Sequence, residues 1–421
     1  MKRKLWICII ALCLMASIVL NMSGCTASVQ AVDLMAGISP GEVEGKDADE
    51  PFRLSQMDLA LKLLRESVKK ENEGNLLISP LSVELALAMT ANGAAGETRR
   101  EMETLLSGDL PLELLNEYLY TYIESLPSGD NSKLHIANSI WYRDEEDRLT
   151  VEEAFLQTNG DYYGAEVYKA PFDGQTVKDI NNWVSGETNG MIDSLVEEIP
   201  EETIMYLINA LAFDAKWADP YKKSEVGERT FYTMDGNEVP VEMMYSTEWQ
   251  YLESPTATGF LKEYKGGSYT FAALLPKNGM DIYEYVNTME PESLLAMLDE
   301  PKSEGGQAGL PKFTFDYEIS LKGSLEDLGM NEAFSGEKAD FSSMAHSTNG
   351  NIHISDVFHK THIQIDEEGT KAAAATQVSI VEECAPVSEW SVILDRPFVF
   401  MILDRNTNLP VFMGIVLDPT K

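Results

Sequence analysis

Residues 51–421 are expected to form one α+β domain, and three observations point there. Helical apolar spacing dominates the first third of the chain, β-like runs dominate the last third, and the 44% apolar content carries no internal repeat that would divide it. A chain of 421 residues could hold two or three average domains, but one large core is permitted. From Ser55 the pattern is helical, with Met57, Leu61, Leu64 and Val68 on one face. Ser79 suits an N-cap with Pro80 in the first helical position, and Gly93 suits the end of that helix. Helical signals continue over 98–106 and 112–126, and 135–142 is β-like. Residues 178–184 and 191–196 read as helices broken at Gly186. The long apolar run 204–217 reads as a buried strand, with further strands over 269–275, 313–319 and 353–365. Residues 398–403 and 411–417 read as a hairpin turning at Asn406-Thr407-Asn408.

The N-terminus reads as an export signal. Lys2-Arg3-Lys4 is followed by a sixteen-residue apolar run from Leu5 to Leu20, short for a membrane span. Met22-Ser23-Gly24-Cys25 then resembles a bacterial lipobox, with Met in place of the usual Leu. On that reading residues 1–24 are removed and Cys25 carries a lipid that holds the protein at the cell surface. Plain secretion with cleavage near Ala27 is the alternative. Residues 25–50 hold Gly, Ser, Pro, Asp and Glu with few aromatics and read as a flexible tether. Cys8 and Cys13 leave with the signal, so Cys384 remains alone and no internal disulfide is expected. With 69 acidic against 32 basic residues the net charge is −37, which repels nucleic acid and heparin-like polymers.

Catalysis is not expected. The five histidines are His135, His346, His353, His359 and His362, and no HExxH, GxSxG, Walker or GxGxxG motif occurs. A thiol hydrolase built on Cys384 would need a positioned histidine and an oxyanion hole. Neither a cofactor nor a metal is expected.

The informative stretch is Asp366-Glu367-Glu368-Gly369-Thr370-Lys371-Ala372-Ala373-Ala374-Ala375-Thr376. Local propensity alone makes an alanine run helical. As a strand, Thr370, Ala372, Ala374, Thr376, Val378 and Ile380 share a small, then apolar face, and Lys371, Ala373, Ala375, Gln377 and Ser379 share the other. Such a strand suits a segment that slides into a crowded sheet. The stretch resembles the hinge of the reactive-centre loop of serpins. Around it, in family order, stand Asn75-Leu76-Leu77-Ile78-Ser79-Pro80-Leu81-Ser82, Leu207-Ile208-Asn209-Ala210 with Lys216-Trp217, Val357-Phe358-His359-Lys360, Arg396-Pro397-Phe398-Val399-Phe400, and Pro410-Val411-Phe412-Met413-Gly414.

The resemblance implies the serpin fold: three sheets, eight or nine helices and an exposed loop offered to a protease as substrate. After acylation the hinge would enter the central sheet as a new strand and drag the protease along. It implies a shutter of Ser79, Ser82, Asn209 and His359, and a breach of Trp217, Lys312 and Glu367. Family hinge length puts the scissile bond between Glu383 and Cys384, with Val381, Glu382 and Ala385 as alternates. Glu383 suits glutamate-specific proteases, and Val381, Cys384 or Ala385 suits elastase-like ones. The expected partners are secreted serine proteases, with no heparin-type activation, and the protein is expected to be a monomer. Lys371 departs from the usual acidic residue and falls on the outward face. A non-inhibitory relative that binds a ligand or partner is the alternative; such relatives usually carry charged, bulky or Pro residues at inward hinge positions, and none occurs here before Glu382.

Overall fold

The computed structural model describes residues 29–421 apart from 71–73, 128, 130, 144–148, 202, 278, 349 and 371–388. Among the described residues are nine α-helices and three sheets. The helices are α1 Glu50–Lys70, α2 Pro80–Ala91, α3 Gly96–Ser107, α4 Leu112–Ser125, α5 Glu153–Tyr163, α6 Gly174–Glu187, α7 Ile282–Thr288, α8 Pro291–Asp299 and α9 Lys322–Asp327. Strands cluster in the second half, as the patterning requires, and the class is α+β.

The central sheet has seven strands. They are β1 Val32–Asp33, β3 Ser132–Arg143, β5 Glu166–Ala170, β6 Met205–Lys216, β12 Phe313–Ser320, β14 Asp356–Ile365 and β15 Gly369–Thr370, in the order β1-β5-β3-β6-β15-β14-β12. β6 is buried along nearly its whole length, which is why its sequence shows no polar alternation. A nine-stranded sheet runs from β16 Trp390–Ile393 through β11 Lys302–Pro311, β8 Glu238–Glu253, β9 Ala257–Glu263, β10 Tyr269–Pro276, β17 Phe398–Asp404 and β18 Pro410–Val416 to β2 Leu76–Ile78, with β7 Val226–Tyr232 on β8. The third sheet pairs β4 Leu149–Val151 with β13 Ala345–Ser347. The main core lies between the two large sheets and α1 and α2, and a smaller cluster packs α6 on the outer face of β3, β5 and β6.

Two expectations are corrected. Residues 191–196 are not helical. Thr188 Oγ1 accepts from Ile192 N–H, and the Asn181 side chain accepts from the N–H groups of Leu195 and Val196 and donates to Val196 O. These side chains satisfy the backbone, so Ile192, Leu195 and Val196 are buried without a helix. The tether is corrected from Val29 onward. Val32–Asp33 pairs with Tyr168–Lys169, Leu34, Met35 and Ile38 pack on the core, and the buried Asp179 carboxylate accepts at 2.9 Å from both Gln30 N and Ala31 N. Asp179→Ala should therefore lower stability by about 2 kcal/mol, through loss of charge-assisted bonds. A urea midpoint unchanged from wild type would count against this clamp.

The core also holds Glu84, 2% exposed on α2, whose Oε1 has no hydrogen-bond partner among the described residues. Burial pushes its carboxyl up to about 8, opposed by the Gln56 side chain. The unfolded chain ionises this group near its ordinary value of about 4.5, while the folded protein holds the proton to about 8. Its contribution to stability is complete below about 4.5 and is lost as pH rises through 8. Glu84→Gln should remove that loss, and so gain on wild type by a few kcal/mol between pH 4 and pH 8. Denaturation curves at both pH values read the difference, and parallel curves would contradict it.

Candidate functional site: a gate in the central sheet

The site is the line along which β6 and β14 meet. Their lower halves pair in parallel, Tyr206–Leu211 against Asp356–Thr361. Above that they part, and β15 fills the opening, with Thr370 opposite Ala215 on one side and Ile365 on the other. Gly369 is required there: its φ is 155°, and a Cβ would lie 2.1 Å from Ala215 O. Thr370, expected to be the first residue to enter the sheet, is already inside it, 2% exposed and 2.6 Å from the Tyr264 hydroxyl through its Oγ1.

Under the paired halves sits the start of α2. Ser79 caps the helix, its side chain accepting from Ser82 N–H. Ser79 N–H donates to His359 Nε2 at 3.0 Å, and His359 Nδ1 lies 3.1 Å from Asn209 Oδ1. Ser82 Oγ also bonds Asn209 Oδ1, and Asn209 Nδ2 bonds Ser82 O and Asn138 Oδ1. All four residues assigned to the shutter are brought together and fully buried. His359 accepts at Nε2, so protonation would set one N–H against another; burial lowers its pKa to about 3, and it stays neutral. The cluster joins β6, β14 and α2, so parting the strands must break it.

Above the opening, the segment before β15 is tied to the end of β6. Trp217 N donates to Glu368 O, Trp217 Nε1 to Asp366 O, and Tyr221 N to Glu367 O, at 2.9–3.0 Å. Lys312 Nζ lies 2.6 Å from Glu367 and 3.2 Å from Glu242. Burial alone would raise the Glu367 carboxyl and lower the Lys312 ammonium, but their contact prevails and favours both charged forms. The three residues assigned to the breach are thus one cluster.

Sequence reading missed the layer behind it. Trp217 stacks on Tyr264 with ring centroids 4.5 Å apart. Lys262, 3% exposed, is 2.8 Å from Glu248 and lies 4.4 Å over the Tyr221 ring and 5.5 Å from the Trp217 ring. A lysine in a strand reads as a solvent-facing residue; only the tertiary contact with Glu248 marks it as buried.

On the far side of the bait segment, Trp390 anchors the chain. Its indole covers Gly306, where a Cβ would come within 2.0 Å of the ring, and donates from Nε1 to Glu304 O. Lys371, Ala372, Ala373, Ala374, Ala375 and Thr376 of the hinge, Val381, Glu382, Glu383, Cys384 and Ala385 around the scissile bond, and Cys25 lie outside the described residues.

The arrangement can accept a strand: a started insertion, a breakable pair below it and a buried polar cluster at the dividing point. Residues 54–419 match the family model described as serpin (serine protease inhibitor). A serpin-like protein of Thermococcus kodakarensis is 33% identical, covering 83% of this chain and 82% of its own. The native-state crystal structure of the thermophilic serpin tengpin superposes with a TM-score of 0.89 at 46% identity, over 93% of this chain and all of its own. Thyroxine-binding globulin in complex with thyroxine superposes at 0.77 and 26% identity, over 88% and 99%.

Proposed function

Since the chain belongs to the serpin family, whose members are mostly protease inhibitors and generally not catalytic enzymes, we propose that it traps secreted serine proteases by loop insertion. The observation that carries this reading is the two-residue strand Gly369–Thr370 already seated between β6 and β14. A protease serine attacks the bait segment, forms an acyl-enzyme and frees the segment's C-terminal half. The hinge then continues the strand that Thr370 begins. The six-residue β6–β14 pairing breaks, and two new ladders replace it. Each new backbone bond nets about 0.5–1.5 kcal/mol, so a dozen supply on the order of 10 kcal/mol. That suffices to pull apart an active site in which a ~1 Å misplacement stops deacylation.

The proposed scissile bond is Glu383-Cys384, which suits a glutamate-specific protease, with elastase-like cleavage within one or two residues. An elastase-type pocket gains by burying a small aliphatic group and loses by desolvating a carboxylate. Trypsin-like enzymes should not be trapped, since no Lys or Arg lies between Lys371 and Arg396. Incubation with a protease panel should give an SDS-stable complex with at least one glutamate-specific or elastase-like enzyme. Mass spectrometry of the released peptide should find a new N-terminus at Cys384 or Ala385. Clean cleavage by every enzyme would remove the inhibitor claim, and a terminus upstream of Val381 would leave the hinge too short.

The likeness to thyroxine-binding globulin supports a second reading, a non-inhibitory carrier or partner-binding protein. It differs in one measurable respect: its cleaved form gains no thermal stability. For location, we propose export with a lipid anchor on Cys25, supported by Met22-Ser23-Gly24-Cys25 after the apolar run; plain secretion is the alternative.

A further inference from the structure

We infer that the lipidated protein turns one particular pole toward the bilayer: the end of the central sheet opposite the bait segment. The inference rests on the Cys25 anchor proposed above. It follows from how little chain separates that cysteine from the folded body. Val29 and Ala31 pack on the cluster formed by α6 with β3, β5 and β6. The N–H groups of Gln30 and Ala31 are held by Asp179, β1 pairs with β5, and Gly41 N donates to Asp161 Oδ1 at 2.7 Å. Among the described residues the body is therefore anchored from Val29 onward. Four residues beyond Cys25 span at most about 14 Å however they are arranged.

The attachment point is at a definite height on the sheet. Val32–Asp33 pairs with Lys169–Tyr168, Tyr168–Lys169 with Trp141–Tyr142, and Trp141–Tyr142 with Tyr206–Met205. Thr370 sits at Ala215, nine residues further along β6, or roughly 30 Å at the rise of a strand. β1 runs antiparallel to β5, so the chain traced back from Val32 heads past Ala170 and off the lower end of the sheet. Leash and bait thus leave from opposite poles. The net charge of −37, or −37 − 3 = −40 once Lys2, Arg3 and Lys4 leave with the signal, repels an anionic bilayer, so the short leash rather than electrostatic attraction sets the orientation. Thr370, where the chain enters the bait segment, is thus at the pole away from the membrane, toward proteases arriving from the medium.

The test uses the full lipidated chain in phosphatidylcholine vesicles carrying a headgroup-attached acceptor dye, in a Cys384→Ser background. A donor is placed by Glu201→Cys, exposed just before β6, or by Glu228→Cys. Glu228 is paired with Glu242, which shares Lys312 with Glu367 beside the gate. Energy transfer should be at least about twofold greater from position 201. Twenty Gly-Ser residues inserted after Cys25, a coil of roughly 25 Å, should level the two signals. Equal or reversed transfer with the acyl group verified by intact mass overturns the orientation alone. An intact mass without the acyl group overturns the anchor and the orientation together.

Discussion

Thr370→Arg is expected to turn the inhibitor into a substrate, cutting the yield of SDS-stable complex at least tenfold while the bait is still cleaved. Thr370 lies between Ala215 and Ile365 with its hydroxyl on Tyr264 and 2% of its surface exposed. Among the described residues no hydrogen bond joins its side chain to an acidic group, so a guanidinium there would be buried unpaired, at a cost of several kcal/mol. Each 1.4 kcal/mol slows insertion tenfold against hydrolysis of the acyl-enzyme, which the substitution does not touch. If Thr370 lay outside the resting sheet, such a variant would be expected to fold normally. The seated strand modifies that expectation, because the arginine must also leave the resting sheet. Ejecting two residues forfeits few bonds, so native stability should fall by only about 1–2 kcal/mol. Thr370→Ser keeps the hydroxyl, loses only a methyl and should inhibit as wild type does. Undiminished complex with Thr370→Arg would mean that Thr370 does not face the core during insertion.

The gate was legible from sequence through the family resemblance, which names its distant residues together, and two of its elements are also legible locally. Ser79-Pro80 is a helix start in any context, and 204–217 is apolar throughout because β6 is covered on both faces. The small-residue hinge is unusual enough to outweigh its helical propensity. What escaped depends on distant partners. Gln30 and Ala31 look like tether until Asp179, 149 and 148 residues away, is seen to hold them. Ile192 to Val196 has helix-like apolar spacing, but Asn181 and Thr188 supply the hydrogen bonds a helix would have made. Lys262 and Glu248 come together only when β8 and β9 pair, and Tyr264 gains meaning only from Thr370. Side chains that satisfy another segment's backbone leave no periodic trace.

Cleavage within the bait should raise the melting temperature by about 20 °C or more. Extending the observed register sets Ala372 opposite Phe213, Ala374 opposite Leu211, Thr376 opposite Asn209, Val378 opposite Leu207 and Ile380 opposite Met205. All five β6 residues are buried, and small residues fall where the opposing side chains are bulky. Val378 and Ile380 come last and add apolar burial at about 25 cal/mol per Å². Lys371, Ala373 and Ala375 take the opposite face, where a charge reaches water. In the intact protein both ends of this segment are fixed, at Thr370 by β15 and at Trp390 by Gly306. The protein therefore rests in a sheet that is paired but incomplete, with β6 and β14 holding one another through six residue pairs. Cutting the bait frees one end. A gain on the order of 10 kcal/mol corresponds to roughly 20 °C at about 2 °C per kcal/mol for a chain of this size. Calorimetry of intact and cleaved protein at one scan rate reads the difference directly. A gain below about 5 °C would mean the hinge stays outside, because even partial insertion adds several net bonds. The carrier reading would then stand, and the gate would be an inherited form without its mechanical use.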